Sequence, residues 1–97
     1  MLVAFSVAPG SSGEGVSEAV AAAVKVVRES GLPHETTAMF TTIEGEWDEV
    51  MDVVKRATEA VSARSPRTSL VLKADIRPGY TNQLKEKVDR IDEHLAE

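Results

Sequence analysis

Hydrophobic and polar positions along the chain change period several times, and each change marks an element. Leu2 to Ala8 is an apolar run in which Val3, Phe5 and Val7 alternate with Ala4 and Ser6, the period-two pattern of a central strand. Pro9-Gly10-Ser11-Ser12-Gly13-Glu14-Gly15 interrupts it, with Ser11 and Glu14 at the spacing of a capping box. From Val16 onward Val20, Ala23, Val24 and Val27 recur at helical spacing, while Glu18, Lys25, Arg28 and Glu29 fall mostly off that stripe. Gly31 and then Pro33 stop this helix near Ser30.

Threonine-rich His34 to Phe40 and Thr41 to Glu44 carry no helical stripe and read as two strands joined tightly around Met39 to Thr41. Beyond Gly45, the positions Trp47, Val50, Met51, Val54, Ala57 and Val61 trace a second amphipathic helix, with Asp52 and Arg56 as a surface pair and Pro66 as its close. Arg67 to Arg77 is the clearest strand: Leu70, Leu72, Ala74 and Ile76 point one way, and Ser69, Val71, Lys73, Asp75 and Arg77 the other. Pro78-Gly79 turns the chain into a third, highly charged helix with the narrow stripe Leu84, Val88, Ile91, Leu95.

The order strand, helix, two strands, helix, strand, with a helix appended, predicts an α+β fold: a ferredoxin-like βαββαβ sandwich with an extra C-terminal helix. Both main helices are expected on one sheet face, as crossovers between parallel neighbours. The other face, carrying Ala4, Ser6, Val71 and Lys73, is too mixed for plain solvent surface and predicts a second subunit there.

With 97 residues, the chain is expected to form one domain spanning 1–97. Its 42% hydrophobic and 28% charged residues are ordinary for a globular protein. Sixteen acidic against 11 basic residues leave a charge of −5, which argues against nucleic acid and favours a neutral or cationic ligand. No run reaches the roughly 20 apolar residues of a membrane span and no signal peptide is recognisable, so a cytoplasmic location is expected without a membrane partner. The absence of cysteine excludes disulfides, thiolate metal sites and cysteine nucleophiles.

Candidate chemistry is sparse. Glu44 at a strand end and Asp75 on the polar strand face, near Lys73 and Arg77, are placed either to form a small polar pocket for a ligand amine or cation, or to make an ion-pair network at a subunit interface. The glycines before the first helix lack the lysine and hydroxyl of a phosphate loop, and Glu14 would repel an anion there; the segment reads first as a plain connection, and otherwise as a loop closing over a neutral or cationic ligand with Ser11 or Ser12 as contact. His34 and His94 have no second ligand at metal spacing, so no metal is expected. No serine sits in a nucleophile motif, which disfavours an enzyme. Met51 and Trp47 read as core, and Met39 as core or as a pocket wall beside the hairpin turn.

Several segments taken together, Ser6-Val7 with Pro9 and Gly10, Val16-Ser17, Glu29-Ser30-Gly31-Leu32, Met39 with Thr41-Thr42-Ile43-Glu44-Gly45, and Lys73-Ala74-Asp75-Ile76-Arg77 followed by Lys87-Val88, resemble the small thiamine-binding protein family with a YkoF-like fold. The resemblance covers nearly the whole chain. It implies a ferredoxin-like subunit, a homodimer or dimer of dimers (a homotetramer), that binds thiamine or its hydroxymethylpyrimidine part without catalysis and without a further cofactor. Matching motif positions implies Met39, Thr41, Glu44 and Asp75 as ligand-binding residues, with Ser6, Ser11, Lys73 and Arg77 beside them. Phe40 stands where the family usually has glycine, and Ile76 where it usually has a second aspartate. Two other functions remain open at this point: an ACT-like regulatory module binding an amino acid or other metabolite at a subunit interface, and a small hydrolase or isomerase using Glu44 or Asp75 as base.

Overall fold

The computed structural model describes residues 1–10 and 16–96. The elements are β1 (Leu2–Pro9), α1 (Val16–Glu29), β2 (His34–Thr36), β3 (Thr41–Glu44), α2 (Trp47–Ser62), β4 (Thr68–Asp75) and α3 (Gln83–Leu95). They form the α+β ferredoxin-like sandwich, with one four-stranded sheet in the order β2-β3-β1-β4 and every neighbouring pair antiparallel. The two helical crossovers therefore join parallel strands that are not neighbours: β3 lies between β1 and β2, and β1 between β3 and β4. This corrects the expectation of adjacent parallel strands. The hairpin places β3 against β1, and the register Leu2↔Glu44 to Phe5↔Thr41 occupies the edge that a parallel neighbour would need.

The core lies between the sheet and the two main helices. Val3, Phe5, Val7 and Ile43 from the sheet meet Ala19, Ala23 and Val27 of α1 and Val50, Val53, Val54, Ala57 and Val61 of α2. Its side chains are small, so the helices sit close to the sheet and to one another. Gly31, at φ +78°, takes the left-handed position just after α1, and the Ser30 hydroxyl donates to the Val27 carbonyl at 2.6 Å. At the start of α2 the Glu46 amide donates to the Glu49 carboxylate at 3.2 Å. Trp47, expected in the core, is exposed, because the first residue of α2 lies beyond the part of the helix that the sheet covers. The Ser11–Glu14 capping box falls outside the described residues.

Strand β2 is shorter than expected. Residues 37–40 form the connection instead, with the Thr37 amide donating to the Phe40 carbonyl at 2.9 Å and the Thr37 hydroxyl to the same oxygen at 3.1 Å. The apolar side of β4, expected to be dry, is also exposed at Leu70, Leu72 and Ile76. Two helices span the width of β1 and β3 well, and β4 is an outer strand that overhangs them; Ile76 lies past its end. Among the described residues no helix is long and apolar enough to cross a membrane.

Helix α3 leaves the sandwich. Exposure rises along its apolar stripe from 52% at Val88 through 59% at Ile91 to 78% at Leu95, so the helix is docked chiefly at its start, with Lys87 paired to Asp75 just beyond the first turn. That docking is made at the open sheet face by Glu44.

Candidate functional site

Residues expected to act together are distributed over the two faces of the sheet. Side chains of β1 alternate, so Val3, Phe5 and Val7 face the helices and Leu2, Ala4 and Ser6 face away. Cross-strand partners share a face: Thr41, paired with Phe5, belongs to the helix side, whereas Glu44 and Asp75, both paired with Leu2, belong to the open side together with Lys73 opposite Ala4.

On the helix side, α1, the end of β1 and the β2–β3 connection enclose a slot of about 180 Å³. Phe5, Val7, Ala23 and Val27 make its floor, and Thr36, Met39, Phe40 and Thr41 its outer wall. Two of the expected residues, Met39 and Thr41, line this slot, and Ser6 borders it from β1 although its side chain belongs to the opposite face of the sheet. Met39 is 75% exposed and stands at the rim. Thr41 is buried, and its hydroxyl lies 3.4 Å from that of Thr36, a long contact that leaves hydrogen-bonding capacity unused. No acid, histidine, lysine or arginine is among the described residues lining the slot. It is a neutral, apolar cavity with hydroxyls on one wall, suited to a small flat uncharged ring.

On the open side, Leu2, Ala4, Thr42, Lys73, Asp75 and Lys87 line a shallower groove of about 390 Å³ between the sheet and α3. Lys87 of α3 forms an ion pair with Asp75. This contact, with weaker contributions from Arg77 and Lys73, holds the Asp75 carboxyl below its usual value of 3.8. Arg77 lies with its guanidinium 3.5 Å from the centre of the Tyr80 ring.

Glu44 is only two strand spacings from Asp75 across Leu2, roughly 10 Å, yet it is committed to a different partner. It is 7% exposed, and its two oxygens accept the amides of Gln83 at 2.8 Å and Leu84 at 3.0 Å. Asn82, the residue before α3, is in the left-handed region at φ 56° and makes no side-chain cap. The carboxylate 39 residues away in sequence takes the role of that cap, with its negative charge at the positive end of the helix. Nothing local in Thr-Thr-Ile-Glu-Gly signals this, because the partner is a backbone segment brought in by the fold. Sequence reading also missed Thr36 and the α1 residues of the slot. The α1 stripe itself was legible, but which part of it faced a cavity was not. Ser11 falls outside the described residues, and among those described no three acidic or histidine side chains group as for a metal.

Residues 3–92 match the family described as thiamine-binding protein. A UPF0045 protein of Mycobacterium bovis is 57% identical over 96 residues, which is 98% of this chain and 94% of that protein. The crystal structure of a hypothetical protein from Methanocaldococcus jannaschii superimposes with a TM-score of 0.85 at 33% identity, covering 95% of each chain. A Thermotoga maritima protein provisionally assigned to thiamine biosynthesis or salvage superimposes with a TM-score of 0.79 at 28% identity, covering 93% of this chain and 96% of that one. A family match over residues 3–92, a close relative along nearly the whole length and a superposition of the whole fold lead to one conclusion: this chain belongs to the thiamine-binding protein family.

Proposed function

We propose that this protein binds thiamine or its hydroxymethylpyrimidine part in the cytoplasm and releases it chemically unchanged, with the aminopyrimidine ring held in the slot between α1 and the β2–β3 connection. The observation that carries this reading is the slot's lining: an apolar floor for a flat ring, Met39 at the rim, and the Thr41 hydroxyl as a directional partner. The family match and the Thermotoga maritima neighbour support the same ligand class. The cationic thiazolium would extend outward, since none of the described residues lining the slot is charged.

In this reading the open face is covered by a second copy of the chain. Val71 lies exposed on that face, and the stripe Val88, Ile91 and Leu95 of α3 beside it is bare, an apolar surface that a second copy would cover. Asp75, Lys73, Arg77 and Lys87 then belong to that interface or to a ligand group reaching it. The mixed charges of this groove also favour a second reading, an amino acid bound between subunits as in an ACT-like module.

Titration calorimetry with thiamine and with hydroxymethylpyrimidine tests the main reading. Saturable heat is expected for both, weakened about tenfold by Thr41→Val, which keeps the side-chain volume and loses the hydroxyl. No heat and no rise in melting temperature at about 1 mM of either ligand overturns it; a rise with an amino acid instead selects the second reading.

A further inference from the structure

Strand β1 is longer than the strand it meets on one side. Its pairs with β4 run from Leu2↔Asp75 to Pro9↔Thr68, but its pairs with β3 stop at Phe5↔Thr41. Just before β1, Met1 and Gly45 exchange hydrogen bonds both ways: the Met1 ammonium donates to the Gly45 carbonyl at 2.7 Å, and the Gly45 amide to the Met1 carbonyl at 3.1 Å. Such exchanging pairs recur at every second residue of an antiparallel ladder. Val3, Phe5 and Val7 therefore turn their N–H and C=O toward β3, and Ala4, Ser6 and Ala8 turn theirs toward β4. The Gly10 amide, bonded to the Arg67 carbonyl, keeps this alternation at the far end of the strand.

Val3 and Phe5 meet Ile43 and Thr41. Opposite Val7 the chain has already turned away through residues 37–40, and among the described residues nothing hydrogen-bonds to the Val7 N–H or C=O on that side. Val7 lines the slot. A peptide left without partners inside a fold is costly, so this donor and acceptor, side by side in a small apolar cavity, are poised for a guest that supplies both complements.

We infer that the Val7 peptide reads the amine-bearing edge of a planar nitrogen heterocycle: its C=O accepts from the exocyclic amine and its N–H donates to the adjacent ring nitrogen. The guest takes the place of the ladder residue that β3 does not provide. This rests on the slot being the ligand site, and it narrows the ligand to 4-aminopyrimidines and rings with the same amidine edge. A 4-oxo ring seated the same way presents an acceptor and a ring N–H instead and mismatches both groups; it could match only turned over, which would carry its 5-substituent to the opposite end of the slot.

The test combines a backbone variant with amide spectroscopy. Val7→Pro removes the N–H turned to the slot while sparing the bonds that Ser6 and Ala8 make to β4, and Val7→Ala removes comparable packing but keeps the N–H. Calorimetry with 4-amino-5-hydroxymethyl-2-methylpyrimidine should give affinity at least tenfold weaker for Val7→Pro than for Val7→Ala, and at least tenfold weaker for wild type with the 4-oxo analogue than with the 4-amino ring. In the wild type, the Val7 amide should exchange with solvent much faster than those of Val3 and Phe5. The 4-amino ligand should protect it and move its proton resonance downfield. These amide measurements decide the matter even if Val7→Pro does not fold. Wild-type binding with an unresponsive Val7 amide, or with equal affinities for the two variants, overturns the inference and leaves the slot as the ligand site; absence of any wild-type binding overturns both.

Discussion

Replacing Glu44 by glutamine isolates the contact that attaches α3. The side chain keeps its length and one carboxamide oxygen, but the negative charge is lost and an NH2 group is turned toward a backbone N–H. Two hydrogen bonds to a buried carboxylate, at 2.8 and 3.0 Å, are at stake. Bonds to charged groups contribute about 1.5–3 kcal/mol each, and an anion at a helix N-terminus about 0.3–2 kcal/mol. These contributions overlap, and one acceptor survives, so about 2 kcal/mol is expected. Because α3 touches the body mainly through its first turn, the loss should fall on α3 before it falls on the sandwich. Amide hydrogen exchange is the right assay: amides of α3 should exchange roughly 30-fold faster, by the conversion of 1.36 kcal/mol per tenfold, while those of Val50, Val54 and Ile43 stay slow. If α3 amides change by less than about twofold, the carboxylate is not what holds the helix, and the Lys87–Asp75 pair and Leu84 must hold it instead.

Four further outcomes are expected. Ile43→Ala, at a fully buried position where sheet and helices meet, should cost about 2–5 kcal/mol in urea unfolding. Gly31→Ala should destabilise by about 1 kcal/mol although nothing lies within 4 Å of the added methyl group, because the cost is the left-handed backbone at φ +78°; thermal unfolding reads it. Asp75 has a folded-state pKa below its unfolded value of 3.8, held there first by Lys87. The stability it contributes is complete above that pH and is lost as pH falls through the folded value, and acid unfolding of Lys87→Met should lack this component. Val71→Asp should lower the particle mass seen in light scattering if the open sheet face joins two copies, and an unchanged mass refutes that interface.

How much of this was legible in the sequence follows from the range of each interaction. Alternation in Leu2 to Ala8, the Val20–Val27 stripe, the stop at Gly31 and Pro33 and the strand from Thr68 express contacts whose period is set by the backbone itself, so their type and approximate bounds could be read directly. Threonines at 36, 37 and 41 marked a strand pair, but their hydroxyls also close the connection, so β2 ended early. For the site, the sequence supplied Met39 and Thr41 as members of a motif without the wall they line.

What the sequence by itself determined was the order of elements and the apolar side of each, since both depend on neighbours within a few residues. Tertiary structure alone decided which carboxylate would be spent on capping a helix, which side of the sheet Thr41 would share with Phe5, and that β1 would outrun β3 at Val7. Each of these depends on a register or a contact between segments tens of residues apart, and a shift of one residue in a strand would have sent every one of those groups to the opposite face.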